Sequence, residues 1–122
     1  MMLRVDANDA VPVYEQLRSQ IVRMAVVGTL AEGTQLPTIR QLAHDLGLAK
    51  GTVAKAYELL ETDDVVSTHG RKGTFIAPQE AAPAQERRSE LDSASDAYVV
   101  TAKQLGSTLE EALTAVRRNW TA

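Results

Sequence analysis

A chain of 122 residues, 44% of them hydrophobic, has the size of one ordinary domain or of a small domain with an appendage, with apolar mass for a modest core. One Phe, one Trp, three Tyr and no cysteine exclude disulfides, thiolate metal sites and cysteine catalysis, and leave no aromatic platform for single-stranded nucleic acid. The formal net charge of −3 is opposite in sign to that of an ordinary nucleic-acid binder, so such a role must rest on where the basic residues lie.

Residues 1–10 have no periodicity and read as a short arm, whose Leu3 and Val5 pack either on the domain or on a second subunit. They lack the charged and apolar regions of a signal peptide, and no apolar run approaches the roughly 20 residues needed to span a bilayer, so a cytoplasmic protein with no membrane partner is expected. From Pro12 a helix is predicted, with Val13, Leu17, Ile21, Met24 and Ala25 on one face, ending near Val27 and Gly28. Residues 30–37 read as a turn-rich connection in which Gly33 marks a bend and Pro37 disfavours helix at Leu36.

A second helix opens at Thr38, whose hydroxyl caps it while Gln41 reaches back to close a capping box, and stops at Gly47. Only Leu48 and Ala49 separate it from a third helix, so the two must cross steeply. Val53, Ala56, Tyr57, Leu59 and Leu60 form a stripe that lies on Ile39, Leu42, Ala43 and Leu46. The first turn of the third helix, Lys50, Gly51 and Thr52, faces outward. Val65 to Thr68 and Thr74 to Ile76 then flank His69, Gly70, Arg71, Lys72 and Gly73, which reads as a hairpin with a positively charged tip. The fold class expected is mainly α with a small β-hairpin, a winged helix-turn-helix over residues 1–77.

Residues 78–86 contain two prolines and small polar residues and read as a linker. In residues 87–122, Leu91, Ala94, Tyr98, Ala102 and Leu105 make a narrow apolar seam that Gly106 ends. Ser107 to Glu110 reads as a capping box, and Leu109, Ala112, Leu113, Val116 and Trp120 share one face of a last helix. Two such helices cannot bury their faces against each other alone. A C-terminal dimerisation segment is expected, through Leu91, Ala94, Tyr98, Ala102, Leu105, Leu109, Leu113, Val116 and Trp120.

Over residues 12–76 the chain resembles the DNA-binding domain of the GntR family of bacterial transcription regulators. The resemblance is carried by Val13-Tyr14-Glu15-Gln16-Leu17, Gly28-Thr29-Leu30 with Gly33, Leu36-Pro37-Thr38-Ile39-Arg40, Gly51-Thr52-Val53-Ala54-Lys55-Ala56-Tyr57 and Gly70-Arg71-Lys72-Gly73-Thr74-Phe75. The short tail is most similar to the YtrA-like branch, in which a small helical segment replaces the effector domain. The resemblance implies that Arg40, Lys50, Thr52, His69 and Gly70 contact DNA, the last two with the wing in or beside the minor groove. With the other polar residues of these elements, the expected DNA-binding set is Thr38, Arg40, Lys50, Gly51, Thr52, Lys55, His69, Gly70, Arg71 and Lys72. Four positions depart from the family pattern. Lys50 stands where arginine is usual, Ala54 where many relatives carry arginine, Ala49 where serine would cap the helix, and Asp64 where glycine often ends it.

The resemblance therefore implies a homodimeric, sequence-specific transcription regulator, a repressor rather than an activator, on a palindromic double-stranded operator. Without that context each lone Lys or Arg reads more simply as a solvated surface residue, and the acidic total suits a rival, a winged helix that binds protein. Any small-molecule effector would sit between tail and head or between subunits, and no residue names it. His44 and His69 have no partner at metal-ligand spacing, and no nucleophile with a linked base or phosphate-cradling loop is visible. Neither metal, cofactor nor enzymatic activity is expected.

Overall fold

The computed structural model describes residues 1–80 and 82–120. Ala81, in the stretch read as linker, and Thr121 and Ala122, at the end of the expected tail, lie outside the described residues. The chain divides into two compact units, Met1–Ala82 and Pro83–Ala122.

In the first unit, α1 (Val13–Val27), α2 (Ile39–Leu46) and α3 (Lys50–Thr62) precede a hairpin of β1 (Val66–Thr68) and β2 (Thr74–Ile76). The strands are antiparallel, with Val66 opposite Ile76 and Thr68 opposite Thr74. Leu17 and Ile21 of α1 meet Val53 and Leu60 of α3 in a core where all four are fully buried. Leu42 and Ala43 of α2 join it, as do Val66 and Ile76 of the hairpin. The apolar periodicity thus sets the packing, with Leu59, at the margin of its stripe, only half-buried.

The ends of α2 and α3 share one device. Leu48 N–H donates to Ala43 O at 2.9 Å and Gly47 N–H to His44 O at 3.3 Å; Val65 N–H donates to Leu60 O at 2.9 Å and Asp64 N–H to Glu61 O at 3.1 Å. Each reversal needs a left-handed residue. Gly47 supplies it at φ 66° and Asp64, where glycine was expected, at φ 58°. The start of α2 corrects the sequence reading. Thr38 Oγ1 accepts from Gln41 N–H at 3.0 Å, but the Gln41 side chain donates to Asp45 Oδ1 at 2.7 Å and does not accept from the Thr38 amide. The Gln41 amide is turned along the helix to a charged acceptor one turn on, so the box is half made.

Two polar seams escape periodicity altogether. Residues 33–36, read as a connection, run antiparallel to β2: Gly33 N–H donates to Ile76 O at 2.8 Å, Ile76 N–H to Thr34 O at 2.9 Å and Leu36 N–H to Thr74 O at 2.8 Å. The N-terminal arm packs in cis. Gln20 exchanges hydrogen bonds with the Arg4 backbone at 2.9 and 2.7 Å, and Gln16, one turn earlier, does the same with Asp6 at 2.8 Å each way. Leu3 and Val5 are thereby laid against the core.

The second unit holds α4 (Ala84–Gln104) and α5 (Leu109–Asn119). Helix α4 starts inside the stretch read as linker, because Pro83 suits the position before a helix and Ala84, Gln85 and Glu86 are good helix formers. It ends as α2 and α3 do, with Ser107 N–H on Ala102 O at 2.9 Å and Gly106 at φ 73°. With the Ser107 amide committed to that turn, the capping box moves on by one residue. Thr108 Oγ1 accepts from Glu111 N–H at 3.2 Å, and Glu111 rather than Glu110 reaches back to the Thr108 amide.

Within this unit Ala102 is the one buried residue among those described, and Tyr98 Oη donates to Ala112 O at 2.7 Å. Leu91, Leu105, Leu109 and Trp120 are 69, 80, 72 and 79% exposed. Leu113 and Val116 are exposed as well.

Candidate nucleic-acid interface

Helix α3 begins at Lys50 with Ala49 before it and no side chain capping its free amides. The other helices deal with this end differently. Thr38 and Thr108 cap α2 and α5, and the uncapped α1 and α4 carry Glu15 and Glu86 in their first turns. Helix α3 has no acidic residue there. Its unpaired N–H groups and positive end are joined by the exposed Lys50 ammonium and by Gly51, whose missing side chain leaves the backbone open. That is a local cradle for an anionic oxygen such as phosphate. Thr52, one residue on, is half-buried.

Residues 35–38 link this turn to the hairpin. Tyr57, on the buried face of α3, donates its hydroxyl to Pro37 O at 2.7 Å, and burial pushes its pKa up to about 12. Thr38 is next in sequence and is occupied by its capping bond; Arg40 follows, exposed, in the first turn of α2. On the other side, Gln35 donates to Lys72 O at 3.1 Å. The hairpin tip is a 3₁₀ turn, Gly70–Lys72, with Gly70, Arg71 and Lys72 all exposed. His69 stands at the stem of the hairpin. Its Nε2 lies 3.1 Å from Ser67 Oγ, and its ring centroid is 5.7 Å from that of Phe75.

One expected residue is placed elsewhere. The Lys55 ammonium sits 4.0 Å from the centre of the Tyr14 ring, turned toward α1. It is about 140° round the helix from Lys50. The contact is a cation–π pair that fixes α3 to α1. Arg18 acts nearby in the same sense, bonded to Glu15 and 3.8 Å from Asp63. That pairing lowers the Glu15 pKa, chiefly through the hydrogen bond from Arg18.

Three residues that position the interface were not singled out for it from sequence. Tyr57 was read as core only, although a buried phenol needs a hydrogen-bond partner and so announces one. Glu61, exposed on α3, accepts from Thr68 Oγ1 at 3.1 Å, tying α3 to β1. Gln35 carried no signal. Among the described residues no group of three or more His, Asp or Glu could hold a metal ion, and no helix is long and apolar enough to cross a membrane.

Residues 10–76, which contain α1 to α3 and the hairpin, match the family model of bacterial regulatory proteins of the gntR family. The chain belongs to the GntR family. It is 43% identical over 114 residues to the HTH-type transcriptional regulator Rv1152 of Mycobacterium tuberculosis, an alignment covering 91% of this chain and 88% of that one. It is 33% identical over 76 residues to the HTH-type transcriptional repressor YtrA of Bacillus subtilis, covering 62% of this chain and 58% of the relative. Among solved structures it is similar to YtrA from Sulfolobus acidocaldarius, a GntR-family transcription factor, with a TM-score of 0.61 and 27% identity over 88% of this chain and 100% of the other. The GntR winged helix is therefore present from α1 to β2, and the likeness to YtrA-like regulators extends into the helical tail.

Proposed function

We propose that this GntR-family regulator is a cytoplasmic homodimeric repressor that reads a palindromic operator. The uncapped, acid-free first turn of α3 carries the reading: the helix end that must approach DNA is the one whose amides and positive field are left open. Lys50, Gly51 and Thr52 meet base edges and phosphate in the major groove, Thr38 and Arg40 hold the adjoining backbone, and Gly70, Arg71 and Lys72 bring the wing to the next groove with His69 at its stem. Lys55, paired with Tyr14, adds charge from the flank. Ala54 offers no base contact, so sequence discrimination falls on Lys50 and Thr52.

Dimerisation is supported by the tail. Its large apolar residues Leu109, Leu113 and Val116 on α5 with Trp120 just after it, and Leu91 on α4 with Leu105 just after it, are exposed, and a second copy of the same segment is the simplest surface to cover them. Repression follows the Bacillus relative, which is named a repressor. Occupation of promoter DNA is then the mechanism.

Selection of bound sequences from random duplex DNA, followed by salt titration of the winner, tests the reading. An enriched inverted repeat, with affinity falling steeply as salt rises, supports it. No enrichment, with no binding at low salt, rejects it in favour of a protein partner.

A further inference from the structure

The tip of the wing is a three-residue turn with no buried side chain. Packing cannot hold its shape, so hydrogen bonds must. Its own are Lys72 N–H to His69 O at 3.1 Å, Gly73 N–H to Gly70 O at 3.2 Å and His69 N–H to Gly73 O at 2.8 Å. Among the described residues, the one strut to the tip from outside the hairpin is Gln35, 37 residues away in sequence, whose Nε2 donates to Lys72 O. Residues 33–36 are extended along β2, so alternate side chains point to opposite faces. Leu36 goes into the core, 3% exposed, and Gln35 to the outside, opposite Phe75.

Gly73 carries the complementary half of the arrangement. It has φ 111° and ψ −166°, a conformation essentially reserved for glycine. A Cβ there would fall 2.6 Å from Gln35 Nε2. The glycine thus serves both the turn and the approach of the amide.

We infer that Gln35 is a positioning residue for DNA binding, a latch that holds the wing tip in the conformation presenting Arg71 and Lys72 to phosphate. The inference rests on the wing meeting DNA, as proposed above. Gln35 itself touches no nucleic acid; it acts through the Lys72 carbonyl. Without the latch, the two cations remain but sample many positions, and each phosphate contact must then be ordered at the moment of binding.

Gln35→Met keeps the length of the side chain and removes the donor; Gln35→Ala removes both. The probe is the duplex selected by the unaltered protein. Both variants are expected to bind it about tenfold more weakly, with the salt slope reduced by about one to two per subunit and the thermal midpoint unchanged. In an Arg71→Ala, Lys72→Ala background, adding Gln35→Ala should weaken binding by less than about twofold, because the groups it positions are already gone. Equal affinity and slope in the unaltered and Gln35 proteins would overturn the latch while leaving the DNA-binding reading intact, and so would a full tenfold loss persisting in the double-alanine background. An unaltered protein that binds no duplex at low salt overturns both.

Discussion

The two units of this chain bury their apolar residues in opposite ways. In Met1–Ala82 the helical stripes close on one another until Leu17, Ile21, Val53 and Leu60 are fully buried. Among the described residues of Pro83–Ala122, stripes of similar regularity meet in a single buried alanine, and the leucines and tryptophan stay outside. Helical periodicity specifies which side of a helix is apolar, and a third element decides whether that side becomes a core. The first unit has α2 and the hairpin to cap the α1–α3 contact. Among the described residues, the second has two helices, α4 and α5.

The widest separation between the units is expected from charge placed on the open face. Leu113→Lys with Val116→Lys should convert a dimer to monomers by light scattering and weaken operator binding by about 10²- to 10⁴-fold, the order lost when two linked sites become independent. A dimer surviving both changes would place the subunit contact elsewhere. One substitution made in each unit sharpens the contrast. Leu60→Ala, in the closed core, should destabilise the first unit against unfolding by about 2–5 kcal/mol, whereas Leu105→Ala should move that transition by less than about 0.5 kcal/mol. Comparable losses in denaturant titration would mean the units do not fold independently.

Within the first unit, Lys50→Ala separates reading from folding. It should weaken operator affinity by about 1–3 kcal/mol and lower the salt slope by about 1, with no change in melting temperature. A smaller loss than at Leu60 is expected at Tyr57→Phe, which removes the bond to Pro37 O and should cost about 1 kcal/mol. Its pH signature is specific. The phenol pKa is raised from 10.0 to about 12 by burial, so its contribution is complete below pH 10 and is lost as pH climbs toward 12. The phenylalanine variant should lack that alkaline loss in stability measured against pH.

Sequence patterns carried the three helices, the hairpin and the basic turn because each has a period or a punctuating glycine. Gly47 and Gly106 end their helices as read, and Asp64 took the left-handed position that its residue type tolerates. The corrections have local causes. Ser107 and Thr108 each offer a capping box, and only the preceding turn, which uses the Ser107 amide, decides between them. The Gln41 side chain is turned along its own helix, where it donates to Asp45. The pairing of residues 33–36 with β2, the amide ladder of Gln16 and Gln20, and the Gln35 strut left no trace, because a polar side chain bonding to a distant backbone has no periodicity. For the candidate site, composition placed the cations correctly on their elements, but the turn of Lys55 toward Tyr14 depended on an aromatic in another helix.

The bridge between residues 33–36 and β2 also has a place in time. Gln35 and Lys72 lie 37 residues apart, and closing a loop of that size is entropically unfavourable until the intervening chain has collapsed. Helices α2 and α3 occupy that interval. The wing is therefore expected to be completed last, after the helical core has formed. A chain caught partway through folding would expose α3 with no ordered wing beside it, so whatever contacts Arg71 and Lys72 make arrive only with the final step of folding.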